Sequence, residues 1–338
     1  MNDLREVVRG LASRMVVGTG VAAAGRALSP KRGALVLYGH RIADDAEGYL
    51  QGLAPEWLVA QLEYLTRHFE VIPLDTLVRC YEERKPVPHR SVVLTFDDGF
   101  RDNYDPGLSI LARFRVPATV FVVTGSLSGG ELPWSQRLGY LFEHARVEEA
   151  RHALLGARPV PLGTREERRD AYVRAKEPVK DMRFAERERV LAELGLALGV
   201  EAPRDRMLTW EQAREMKAEG IELGAHTFSH PLLARIPADE ARQEIERSLV
   251  DLREQLGVER PPFCFPAGSW SPELVDTVRG LGFRSAFLPG RPSRVNTLSS
   301  GDAFSMSRVG LLNGPGYLLE AELDGPFQAI RTFLRRRA

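Results

Sequence analysis

Ser91-Val92-Val93-Leu94-Thr95-Phe96-Asp97-Asp98-Gly99-Phe100 is an apolar, β-branched run that ends abruptly in two carboxylates and a glycine. Runs of this kind form buried strands. Adjacent aspartates are costly inside a strand core, because a buried charge without a partner loses its hydration. They fit where a buried strand emerges at its carboxyl end into a polar site. Successive strand residues face opposite sides, so the two carboxylates can serve different purposes. Gly99 permits a sharp turn behind them. The competing reading is a plain Asp-Asp-Gly surface turn, since these residues are common in turns.

The surroundings of this stretch bear on that choice. Upstream, residues 33–38 (Gly-Ala-Leu-Val-Leu-Tyr) form a second short apolar run, which ends at Gly39-His40-Arg41. Residues 55–69 carry Trp57, Leu58, Leu62, Leu65 and Phe69 at helical intervals, and residues 75–84 read as a helix capped by Asp75. Downstream, 106–114 reads as a helix and 117–123 as another buried strand. This alternation of strand and helix is the pattern of a parallel α/β sheet or barrel. It resumes after residue 207. Thr209 and Gln212 make a capping box, 221–225 is a short strand, and 238–256 is an amphipathic helix closed by Gly257. Residues 263–266 and 283–288 read as strands, 272–281 as a helix, and 305–311 as a weak strand.

Between about 126 and 207 no convincing strand is found. Residues 164–190 are dense in Arg and Glu, and 191–200 add an apolar edge. This reads as a helical insertion packed on the barrel, its charges forming a solvated face, and as a cap that narrows access. The expected organisation is a helical lead-in over 1–30, the barrel over 31–325 with the insertion inside it, and a basic end over 326–338.

Composition excludes little. The 338 residues are 43% hydrophobic and 27% charged, enough for one large domain or two smaller ones. Lys plus Arg and Asp plus Glu both number 46, so nothing points to nucleic acid as a partner. Cys80 and Cys264 make no disulfide framework and leave the compartment open. Residues 15–24 are apolar and follow Arg5, Arg9 and Arg14, as in a secretion signal. Asp3, Glu6, Gly18 and Gly20 dilute that pattern, and Leu4, Val7, Val8, Leu11 and Met15 fall at helical spacing. A cytoplasmic protein with an amphipathic lead-in helix is the expectation, with export by a weak signal as the alternative. No stretch reaches the ~18–20 apolar residues of a spanning helix.

His226 and His230 lie four apart, with Gly224 before and Pro231 after. That places them on a loop at a strand's carboxyl end, where the two rings can converge. Imidazole suits zinc, cobalt, nickel or iron, and a carboxylate supplies a third ligand. Two His and one carboxylate with open positions make a catalytic rather than structural arrangement. One His-x-x-x-His pair also arises by chance. The joint pattern is stronger: Asp-Asp-Gly, His-x-x-x-His and an aromatic-Pro-x-Gly turn follow three different strands. All three would fall at the rim where such barrels keep their active sites.

Thr95-Phe96-Asp97-Asp98-Gly99, His226-Thr227-Phe228-Ser229-His230 and Phe263-Cys264-Phe265-Pro266-Ala267-Gly268 resemble the ordered motifs of the polysaccharide deacetylase family (NodB homology, carbohydrate esterase 4). Leu37-Tyr38-Gly39-His40-Arg41-Ile42 resembles the opening of its exopolysaccharide-linked members. The resemblance spans about residues 33–312 apart from the insertion. It implies an α/β fold, a distorted (β/α) barrel of about seven strands. It also implies removal of N-acetyl groups from an amino-sugar glycan, with an N-acetylated oligo- or polysaccharide as the partner. One divalent metal is implied, zinc first, with cobalt or nickel as alternatives. By this resemblance Asp97 is the general base, and Asp98, His226 and His230 are the metal ligands.

Two departures stand out. Cys264 occupies the place of the family's arginine that holds the base, and no histidine follows Gly282 to act as the general acid. His40 is the replacement acid read from the sequence; a return of the proton by Asp97 is the alternative. Arg41 and Arg308 are candidates for orienting Asp97, and Arg41, Pro266, Trp270 and Arg308 for binding substrate. Trp134, Trp210 and Trp270 offer rings for a sugar to stack on, or simply pack. The competing functions are a catalytically inactive glycan-binding member of the same fold and a hydrolase of a non-sugar amide.

Overall fold

The computed structural model describes residues 2–28, 33–44, 52–288 and 295–327. The basic end expected at 326–338 lies outside them from residue 328 onward. Six short parallel strands follow one another across a curled sheet: Ala34–Gly39, Ser91–Phe96, Thr119–Val122, Glu222–Ala225, Pro262–Cys264 and Ser285–Phe287. Val295–Asn296 adds an antiparallel seventh beside Ala34–Gly39. This is the distorted barrel of about seven strands expected from the motifs. The gap between its ends is bridged by one segment. Met306 pairs with Phe287 at one edge, and Val309–Gly310 pairs with Leu37 and Tyr38 at the other.

Every residue of Ser91–Phe96 is buried, as its β-branched composition demands. A parallel strand covered on both faces has no polar side to show. Helices Pro55–His68 and Ala238–Leu256 lay Leu58, Leu62 and Leu65, and Ala241, Ile245, Leu249 and Leu252, against this core. Each such buried leucine contributes about 1.5–3 kcal/mol. Helix Leu74–Glu82 starts one residue earlier than expected, with Pro73 at its N-cap position. Asp75 is therefore not the cap. It pairs with Arg79 and Arg284 instead. The Thr209–Gln212 capping box forms in full.

Residues 124–200 fold into helices Thr124–Gly129, Trp134–Glu143, Arg165–Val179 and Phe184–Leu198. Glu149–Ala150 and Val160–Pro161 pair in a small antiparallel hairpin, strands that the sequence did not reveal. These elements bury a second apolar cluster of their own, which includes Trp134, Leu138, Phe142, Leu191 and Leu194. Before the barrel, helices Asn2–Gly18 and Val21–Leu28 pack on Gly316–Asp324, and Val8, Leu11 and Met15 remain exposed. No helix among the described residues is long and apolar enough to cross a membrane.

Candidate active site

Asp97 and Asp98 leave the end of strand Ser91–Phe96 and are both buried. The Asp97 amide donates to the Gly39 carbonyl (2.9 Å), which ties this strand end to its neighbour. Asp98 takes a left-handed conformation (φ 73°), and so does Gly99 (φ 80°). A Cβ on Gly99 would also lie 2.9 Å from Val122, so the turn accepts only glycine there. The strand Glu222–Ala225 delivers His226 beside this turn, and the following loop curls through two further left-handed residues, Thr227 (φ 67°) and His230 (φ 59°). Left-handed non-glycine residues are strained and persist where surrounding contacts hold them. Here the Thr227 hydroxyl accepts from the His230 amide, and residues 124 and 125 donate to the Thr227 and Phe228 carbonyls.

The curl brings the two imidazoles together, with ring centres 4.9 Å apart. Asp98 Oδ1 lies 3.3 Å from His230 Nε2 and 3.5 Å from His226 Nε2. His226 Nδ1 is 2.7 Å from the Cys264 carbonyl, which can only accept, so Nδ1 carries the proton and Nε2 offers a lone pair. Burial pushes the His226 pKa down to about 4, so the ring is neutral at physiological pH. Burial also opposes ionisation of Asp98, but His230 first, and His40 behind it, hold its carboxyl well below the usual range. Asp98 Oδ1 is itself buried and receives no hydrogen bond from any described residue. An orphaned anionic oxygen between two imidazole nitrogens suits a divalent cation, and these three residues are the donor group that fits one.

Asp97 is held differently. Arg308 donates to both of its oxygens, at 2.7 Å each. Burial would raise the Asp97 carboxyl; the Arg308 guanidinium overrides this, and the pKa falls below the ordinary carboxylate value. The guanidinium is wrapped by the rings of Tyr38, Phe287 and Phe121 and touches Cys264 Sγ at 2.9 Å. Arg308 belongs to the segment that bridges the sheet ends, so closing the barrel also aims this cation inward. A second donor group, Asp97, His226 and Cys264, overlaps the first. Its carboxylate is already committed to Arg308, and burial keeps the Cys264 thiol protonated well above its usual pKa. The Asp98 group is the better metal site.

A polysaccharide deacetylase family profile matches residues 84–286, which is most of the barrel and holds the Asp-Asp-Gly, His-x-x-x-His and Phe-Pro-Ala-Gly motifs. The chain belongs to the polysaccharide deacetylase family. Solved structures with the same fold include the deacetylase PplD from Streptococcus pyogenes, in complex with acetate: 18% identity, covering 86% of this chain and 98% of that one, TM-score 0.55. IcaB from Ammonifex degensii is 19% identical over 87% of this chain and 97% of that one, TM-score 0.56. A de-N-acetylase from Aggregatibacter actinomycetemcomitans is 18% identical over 82% and 94%, TM-score 0.52. No curated protein matches the chain.

Around the centre of this deacetylase the other candidate residues separate. His40 is exposed beside Tyr38, and its backbone carbonyl accepts from Asn103. It lies close enough to favour the ionised form of both Asp97 and Asp98. Arg41 is buried against Phe100 and pairs with Asp102 at 2.9 Å, whereas both oxygens of Asp97 are taken by Arg308. Arg308 is at the site, but its guanidinium is engaged by Asp97 and is not free for substrate. Pro266 is buried in the turn Pro266–Gly268, and Trp270 is exposed just beyond it. Trp134 is a buried packing residue, and Trp210 bonds to Ser128.

Two residues that sequence reasoning missed touch the candidate ligands or the loop that carries them. Gln136 Nε2 donates to Asp98 Oδ2 at 2.8 Å. Arg187, buried in the second apolar cluster's helix Phe184–Leu198, donates to the Ser229 hydroxyl (2.7 Å) and carbonyl (3.2 Å). Both lie far along the chain from the motifs, and no local pattern marks either.

Proposed function

We propose that the protein is a metal-dependent hydrolase that removes N-acetyl groups from an amino-sugar glycan and releases acetate. The observation that carries this reading is the pair of adjacent carboxylates with opposite partners. Asp98 faces two imidazoles, and Asp97 is fixed beside them by Arg308. Asp98, His226 and His230 hold one divalent ion, with zinc the first choice for two imidazoles and a carboxylate. When bound, such an ion lowers the pKa of its water to about 7 and polarises an amide carbonyl.

Asp97 is the general base. Ionised and anchored, it takes the proton of the attacking water. The water oxygen then bonds to the acetyl carbon, and the carbon–nitrogen bond breaks once the nitrogen receives a proton. His40 supplies that proton. It is the exposed imidazole that follows the Ala34–Gly39 strand end, and a ring of this kind can carry a proton to the departing nitrogen. Acetylated sugar enters from the side where His40 and Trp270 are exposed.

The test is acetate release from N-acetylglucosamine oligomers by zinc-loaded protein, before and after chelation, alongside His40→Gln. Release that stops on chelation and falls about 10²–10⁴-fold in His40→Gln is expected. Zinc-loaded protein that binds the oligomers yet releases no acetate would leave a glycan-binding protein.

A further inference from the structure

The inserted helices were read from the sequence as a cap over the site. Helix Trp134–Glu143 reaches the site itself. Gln136, in its first turn, directs Nε2 at Asp98 Oδ2, and that bond is 2.8 Å long. The orientation of the amide is fixed from its other end, where Oε1 accepts from the Ser135 hydroxyl at 2.5 Å. With Oδ2 engaged by Gln136, Asp98 has Oδ1 left over, and that is the oxygen lying between His226 and His230. The residue just before Ser135 on the same turn reaches a second ligand: Trp134 Nε1 donates to the His230 carbonyl at 2.8 Å. Trp134 is anchored in the insertion's own apolar cluster, so the turn does not move independently of that cluster.

We propose that Gln136 is a positioning residue for the metal, turning one oxygen of Asp98 toward the two imidazoles and so setting metal affinity. This rests on the metal-site reading of Asp98, His226 and His230. The choice of a neutral donor has a physical reason. Asp97, the base, is held by a cation that keeps it ionised. A cation on Asp98 would repel the incoming metal ion across the carboxylate, whereas an amide orients the carboxylate and leaves its full negative charge available. Partners of metal ligands typically change affinity by about 10–100-fold when removed. Gln136 is half-buried, at the surface of the cluster rather than in it, so its replacement leaves no large cavity.

The test measures zinc dissociation constants by chelator competition for the whole chain, for Gln136→Met and Gln136→Asn, and for His230→Ala. The cobalt-loaded spectrum and the melting temperature of the metal-free protein are recorded for each. Met keeps the length of the side chain and loses the donor; Asn keeps the amide and falls short of Asp98. Both should bind zinc about 10–100-fold more weakly, with an altered cobalt spectrum and an unchanged metal-free melting temperature. Wild-type affinity and spectrum in both variants would overturn the role of Gln136 while His230→Ala still loses zinc. A weaker affinity matched by a lowered metal-free melting temperature would overturn it as well, since the loss would then be one of folding. Failure of the unmodified protein to bind zinc, or full binding by His230→Ala, would overturn the metal site itself and this role with it.

Discussion

At Asp97 two forces oppose each other. Burial disfavours the carboxylate, and a bidentate guanidinium favours it more strongly. The result is a carboxylate held in its ionised form, which is what the base proposed above requires, at some cost in basicity. With Asp97 as the proposed base, Arg308 is the residue expected to set the acidic limit of activity. In Arg308→Met the carboxylate loses its counter-charge while remaining buried, so its pKa should rise. Because the base works only when ionised, the acidic limb of the pH–rate profile should move to higher pH, and activity near neutrality should fall. A limb at unchanged pH would mean that Asp97 is not the titrating group. Arg308 also explains the cysteine in the third motif. Cys264 Sγ sits against Nη2 of Arg308, so the space near the carboxylate is filled by an arginine from the segment that bridges the sheet edges.

The elements were legible in the sequence wherever local chemistry determined them. The run 91–96, the Thr209–Gln212 capping box and the glycine-closed helix Ala238–Leu256 each carry their own signal, and each forms. His226 and His230 were readable as a pair because Gly224 and Pro231 forbid a long helix around them. What was not legible depends on tertiary placement. Arg41 follows a strand just as the catalytic motifs do, yet it turns away to Asp102. Gln136 has no motif, and its helix reaches Asp98 only because Trp134 and its neighbours pack as a separate cluster. The same holds for Asp324, whose buried carboxylate accepts from Tyr64 (2.5 Å), Arg90 (3.1 Å) and Arg26 (3.2 Å). It joins helices Val21–Leu28, Pro55–His68 and Gly316–Asp324 to the start of strand Ser91–Phe96. Removing it takes the acceptor from the buried Tyr64 hydroxyl and one acceptor each from Arg26, which keeps Glu320, and Arg90, which keeps the His68 carbonyl. The arginines keep some hydration, so Asp324→Ala should cost about 1–3 kcal/mol and lower the melting temperature by about 2–4 °C per kcal/mol. An unchanged melting curve would show that the helices are held to the barrel by apolar packing alone.

At the scale of the whole molecule, the chain brings together groups that are far apart in sequence by closing a short-stranded barrel. The bridging segment from Met306 to Gly310 supplies the cation for Asp97, and the insertion supplies the amide for Asp98. The two carboxylates of one Asp-Asp-Gly turn thereby receive different environments, which the proposed function assigns as base and metal ligand. That division of roles is the central claim, and Asp97→Asn tests it most directly, with bound zinc and acetate release measured on the same preparation. The account predicts zinc content equal to that of the unmodified protein, with turnover reduced about 10²–10⁴-fold. Loss of the metal in Asp97→Asn, or near-normal turnover with the metal retained, would contradict it.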